Sequence, residues 1–96
     1  MNSKENEILL ITQEECAEVT QAISKCYRFG LDNVKPGKPK TNRQHLAEEL
    51  GDLQAMIDLC VISGLISKDE LNTASNNKIA KLKVWSDIFK EEANET

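Results

Sequence analysis

Two short acidic clusters hold the residues of this chain whose types and spacing suit chemistry best. Glu14-Glu15-Cys-Ala-Glu18 and Glu48-Glu49-Leu-Gly-Asp52 each contain carboxylates three residues apart. At about 100° per residue, a helix turns Glu15 and Glu18 to nearly the same side, one turn apart, and does the same for Glu49 and Asp52. Glu49 falls between Leu46 and Leu53 on the helical wheel, so packing that helix draws its carboxylate partly out of water. An unpaired carboxylate there is costly, and a hard divalent cation is one remedy. Four oxygen donors without His or Cys favour Mg²⁺, with Mn²⁺ as the alternative, over Zn²⁺. The plainer alternative is two solvated acidic faces in a chain with sixteen acids. A di-iron bundle would need Glu-x-x-His pairs, and the lone His45 reads as a surface residue near a helix start.

Basic residues fall where a phosphate bound beside such a cation would need them. Lys25 and Arg28 follow the first acidic cluster, while Lys78, with Asn77 and Lys81 on its flank, interrupts an apolar stripe near the end of the chain. Carboxylates alone repel a triphosphate, and Lys or Arg would complete its recognition. Lys78 has a second reading, as a stem packed on apolar surface with its ammonium reaching water. Gly51, inside a helical pattern, marks either a close helix approach or a ligand.

Helices must position all of these groups. The only two prolines lie in a stretch of about residues 30–41, which reads as one long loop. Before it, Ile8, Ile11, Cys16, Val19, Ile23 and Cys26 predict a helix from about Glu5 to Phe29, with Gly30 at its C-cap. After it, Thr41-Asn-Arg-Gln44 is a capping box for a second helix, whose stripe of Leu46, Leu50, Leu53, Ile57, Cys60 and Val61 runs up to Gly64. Ser67-Lys-Asp-Glu70 is a further capping box, opening a third helix with Leu71, Ala74, Leu82, Trp85 and Phe89 on one face, and residues 91–96 read as a frayed tail. No strand-period run is visible, so the expected fold is all-α, one domain over residues 1–96. Three helices leave apolar surface uncovered. A four-helix-bundle-type core completed in a homodimer or homotetramer is therefore expected.

Composition removes several functional classes. Twelve Lys and Arg against sixteen Asp and Glu give a net charge of −4, which would repel nucleic acid and anionic lipid. Aromatics at 4% are too few for base-stacking readers of single strands. The apolar runs are much shorter than the roughly 20 residues of a membrane span. The acidic, polar start lacks the pattern of a signal peptide, so the expectation is a cytoplasmic protein with no nucleic-acid or membrane partner. Three cysteines without a Cys-x-x-Cys pair read as small apolar core residues rather than disulfides or zinc ligands.

Together, Glu14-Glu15-x-x-Glu18, Lys25, Arg28-Phe29-Gly30-Leu31, the Pro-Gly loop with Asn42, and Glu48-Glu49-Leu-Gly-Asp52 resemble the MazG-like all-α nucleoside triphosphate pyrophosphohydrolases, in particular the short single-domain versions of phages. Lys78-Ile-Ala-Lys81-Leu-x-x-Trp85-Ser resembles the family's basic C-terminal helix. Thirty residues separate Glu18 from Glu49, slightly more than is usual in the family, because the loop is long. The resemblance implies Mg²⁺-dependent hydrolysis of a nucleoside triphosphate between its α and β phosphates. It assigns Glu15, Glu18, Glu49 and Asp52 to the metal, with Glu15 also orienting or deprotonating the attacking water. Lys25, Arg28, Lys78 and Lys81 would hold phosphate oxygens, and the Ile8 to Ile11 region, Asn42 and Trp85 would contact the nucleoside. Two other functions compete: a non-catalytic helical module binding nucleotide or protein, and a phosphoribosyl-ATP pyrophosphohydrolase.

Overall fold

Asn2 starts the first helix. Its side chain accepts from the Glu5 amide while Glu5 returns a bond to the Asn2 amide, a complete capping box that places the helix start at Ser3, two residues before the expected one. The computed structural model describes residues 1–34 and 36–91 and places three α-helices in them: α1 (Ser3–Phe29), α2 (Asn42–Ile62) and α3 (Lys68–Trp85). Among the described residues there is no strand, only an isolated bridge between Val34 and Thr41 inside the loop. The all-α expectation holds. From residue 92 onward the expected frayed tail lies outside the described residues.

The chain divides into two compact units, Met1–Leu65 and Ile66–Thr96. In the first, α1 and α2 form an antiparallel hairpin. Ile8, near the start of α1, packs with Met56 and Cys60 toward the end of α2 and with Leu65 just past it, while the Cys26 thiol at the other end of α1 donates to the carbonyl of Asn42. The shielded positions of α1 include Ile8, Thr12, Glu15, Val19, Ala22 and Cys26; those of α2 include Asn42, Leu46, Glu49, Leu53, Met56 and Cys60, with His45, Ile57 and Val61 beside them. Both series step by four, then three, the 3.5-residue period of a coiled-coil seam.

This seam differs from the stripe expected on α1. Ala22 is completely buried, whereas Ile23 is 41% exposed and Cys16 lies on the surface, so one expected core cysteine is not one. A small side chain lets two helices approach, and the bulkier neighbour is turned outward. Gly51 is not such an approach: a methyl group added there would meet nothing within 4 Å.

The loop between the helices is folded. Gly30 caps α1 with φ +88°, a conformation that disfavours any residue with a Cβ. The Arg43 amide then donates to Leu31, and the Asn42 amide donates to Asn33. The Asn42 side chain donates to the Gly30 carbonyl at 2.8 Å, and an ion pair from Arg43 to Asp32 closes the same junction. Thus the first half of the loop, from Gly30 to Asn33, is tied to the start of α2.

In the second unit, Ser67 accepts from the Glu70 amide and caps α3, forming this half of the expected box. The helix stops at Trp85 because Ser86 turns extended, and both its amide and its hydroxyl bond back to the Leu82 carbonyl. Phe89 therefore lies beyond the helix and does not extend its stripe. No helix among the described residues is long and apolar enough to cross a membrane.

Candidate metal centre

The seam carries Glu15 and Glu49 at positions where its period otherwise calls for apolar side chains. Carboxylate oxygens of Glu15, Glu49 and Asp52 lie within 4.8 Å of one another. Glu49 is the most enclosed, with its side chain only 14% exposed. Asp52, one turn on, enters from the edge of the seam. Glu18, the fourth carboxylate expected here, is exposed and stands outside this convergence, because the seam passes through Val19 instead.

These acids are poorly neutralised. Among the described residues no Lys or Arg forms an ion pair with Glu15, Glu49 or Asp52; the one basic neighbour is His45, whose Nε2 lies 3.8 Å from Glu49 Oε1. Desolvation pushes the Glu15 carboxyl above its ordinary pKa, and the charges of Asp52, Glu49, Glu18 and Glu14 push it further. Glu48 contrasts with its neighbour: it faces away from the seam and pairs with Lys40. Three convergent oxygen donors, repelling one another and left without a cation of the protein's own, fit a hard divalent ion.

Lys25, Arg28 and Asn42 surround the loop end of the hairpin. They line a cavity of about 640 Å³ together with Phe29, Asn33, Val34 and Pro36. Arg28 lies over the Phe29 ring, 4.9 Å from its centroid. Beside it is a second cavity of about 370 Å³, lined by Lys25, Lys38, Pro39, Lys40, Asn42 and His45. Lys38, Lys40 and His45 were not among the sequence candidates. His45 reads differently once its helix is seen: four residues before Glu49, it stands on the same face, half-buried rather than a free surface group. That i,i+4 relation was available in the sequence, whereas the lysines depend on how the loop folds. Lys78, Lys81 and Trp85 belong to α3 of the second unit and are exposed.

The family model described as the MazG nucleotide pyrophosphohydrolase domain matches residues 3–82, most of the chain and both acidic clusters. The chain belongs to this family. No curated protein and no solved structure gives a significant match. MazG membership agrees with the all-helical architecture and accounts for carboxylates in the middle of a packing seam. It makes the chain a nucleotide pyrophosphohydrolase by family and its acidic convergence a candidate divalent-metal site.

Proposed function

We propose that this MazG-family protein is a Mg²⁺-dependent pyrophosphohydrolase that cleaves ribo- or deoxyribonucleoside triphosphates between the α and β phosphates, releasing a monophosphate and pyrophosphate. The observation that carries the reading is the convergence of Glu15, Glu49 and Asp52 on the seam, inside the region that the family matches. Glu18, exposed one turn along α1 from Glu15, is the fourth ligand in the same reading. A divalent cation held there supplies charge neutralisation for the triphosphate and acidifies a water.

The reaction balances without another reactant. Oxygen of a water molecule bonds to the α-phosphorus, and the bridging bond from the α-phosphorus to the β-phosphate oxygen breaks with its electron pair on the departing pyrophosphate. Glu15 orients this water and takes its proton, since a carboxylate already beside the ion needs no new positioning. Lys25 and Arg28 bind phosphate oxygens, as do Lys78 and Lys81, and Asn42 and Trp85 are assigned to the nucleoside. The assignments on α3 rest on the family resemblance. A panel of ribo- and deoxyribonucleoside triphosphates, with and without Mg²⁺, tests the function. The expected result is metal-dependent release of pyrophosphate from at least one, and inorganic phosphate as the sole phosphate product would refute it.

The same reading includes assembly into a homodimer or homotetramer in the cytoplasm. Its support is the apolar surface that the hairpin leaves in water: Leu10 is 58% exposed, Tyr27 88%, Leu50 46% and Ile62 79%. Two helices make one layer, and a stable core needs a second. Light scattering at micromolar concentration should give a dimer or tetramer; an active monomer would contradict this.

A further inference from the structure

Of the three carboxylates that meet at the seam, Glu49 has a nitrogen donor beside it. His45 stands one turn earlier on α2, and its Nε2 lies 3.8 Å from Glu49 Oε1. Its ring does not join the convergence of Glu15, Glu49 and Asp52, so among these acids it pairs with Glu49 alone. The backbone beneath it is fixed. Thr41 and Gln44 close the capping box at this turn, and the His45 amide donates to the Thr41 carbonyl at 3.0 Å. The Asn42 and Arg43 side chains tie the same turn to Gly30 and Asp32.

The residue type also suits the neighbour of a metal ligand. Glu48 pairs with Lys40 and Asp32 with Arg43, full cations that satisfy an exposed acid. Such a cation beside Glu49 would compete with a divalent ion for the carboxylate. Imidazole can donate from Nε2 while uncharged, and Glu49 is the acceptor facing that nitrogen. Several torsions of a glutamate must be fixed before one oxygen points at an ion, and a donor holding the other oxygen lowers that cost.

We propose that His45 is a positioning residue for the metal centre: its Nε2–H holds Oε1 of Glu49 and leaves the other oxygen for the cation shared with Glu15 and Asp52. The role rests on the divalent-metal reading above, which names the ligands but not what aims the most enclosed of them. The 3.8 Å separation is an ion-pair contact rather than a hydrogen bond, and a shift of about 1 Å in either side chain converts one into the other.

Mn²⁺ is the probe, because its paramagnetism reports binding through water-proton relaxation without nucleotide or turnover. In the full chain, His45→Leu should weaken Mn²⁺ binding by about tenfold, the loss expected when a ligand is deprived of its hydrogen-bonding partner. His45→Gln, whose amide nitrogen reaches about as far as imidazole Nε2, should recover most of it. In turnover, the half-activating Mg²⁺ concentration should rise in His45→Leu by a similar factor, ahead of any change in KM for the nucleotide. Unchanged Mn²⁺ affinity in His45→Leu would overturn the role. Equal losses in the Leu and Gln variants would also overturn it, by reducing His45 to packing, and a raised nucleotide KM with Mn²⁺ binding intact would move His45 to the substrate instead. A wild-type chain that binds no Mn²⁺ would remove the metal site and the role with it. Failure to release pyrophosphate would refute the proposed reaction alone, since Mn²⁺ binding is measured without nucleotide.

Discussion

One seam serves two ends in this hairpin. Where α1 begins and α2 finishes, it is closed by Ile8, Met56, Cys60 and Leu65, apolar groups that gain by leaving water. A few turns along, the same four-three rhythm brings Glu15 and Glu49 together with Asp52, groups that lose by it. The backbone geometry is continuous through both regions. What differs is that the apolar groups of the seam satisfy one another, whereas the acidic middle becomes favourable only with a cation. Stability and function are thus separable here by position along a single pair of helices.

Substitutions at the two places should have opposite consequences. Glu49→Gln is expected to lower metal-dependent turnover by at least about a hundredfold while leaving helical content intact, since ligand loss is at least as severe as loss of an outer partner. Met56→Ala should do the converse, costing about 2 kcal/mol or more of stability through the cavity it leaves, with activity per folded molecule retained. Thermal melts beside rate measurements check the pair, and equal loss of activity in both would mean that the two regions are not separable.

The next effect is smaller and depends on pH. The folded Glu15 carboxyl keeps its proton to a higher pH than the unfolded one, so above its ordinary value of 4.5 the folded chain binds more protons and stability falls as pH rises through the raised value. Glu15→Gln lacks that slope. Without metal it should melt above wild type at neutral pH, and the difference should close as pH falls below about 4.5. Asp32, held low by Arg43, contributes in the opposite sense at the acid end, but equally in both chains. Adding Mg²⁺ should reverse the neutral-pH order by stabilising wild type alone. A Glu15→Gln chain that melts lower than wild type without metal would contradict the repulsion.

The smallest effect is expected at Gly51, between the two acids of α2. Gly51 lies on α2 between Glu49 and Asp52 with open space around its missing side chain, so Gly51→Ala should raise stability by about 1 kcal/mol. If activity disappears while the melting temperature rises, that space belongs to substrate or to a second copy of the chain.

Much of this was legible in the residues. Capping signals at Thr41 and Ser67 and the Pro-Gly stretch set the helices, and the i,i+3 acids identified three carboxylates that do converge. The start of α1 was also written, in Asn2 and Glu5 three residues apart just ahead of the apolar run from Ile8 to Ile11. The exact seam was not legible. Counting large apolar residues selects Cys16 and Ile23, whereas packing selects Glu15 and Ala22, because the distance between helix axes is set by the smallest side chain at their approach. Nor was the basic cavity, since Lys38 and Lys40 reach it through a loop held by backbone bonds to Leu31 and Asn33 that no periodicity encodes.

If the acids of the seam direct water to the α-phosphorus, hydrolysis in ¹⁸O-labelled water will mark the monophosphate. With Mg²⁺ and a nucleoside triphosphate that the protein turns over, phosphorus NMR should find the label in the monophosphate and none in the pyrophosphate. Label in pyrophosphate or inorganic phosphate, with the monophosphate unlabelled, would mean that water attacks elsewhere and would contradict the role assigned to Glu15, Glu49 and Asp52.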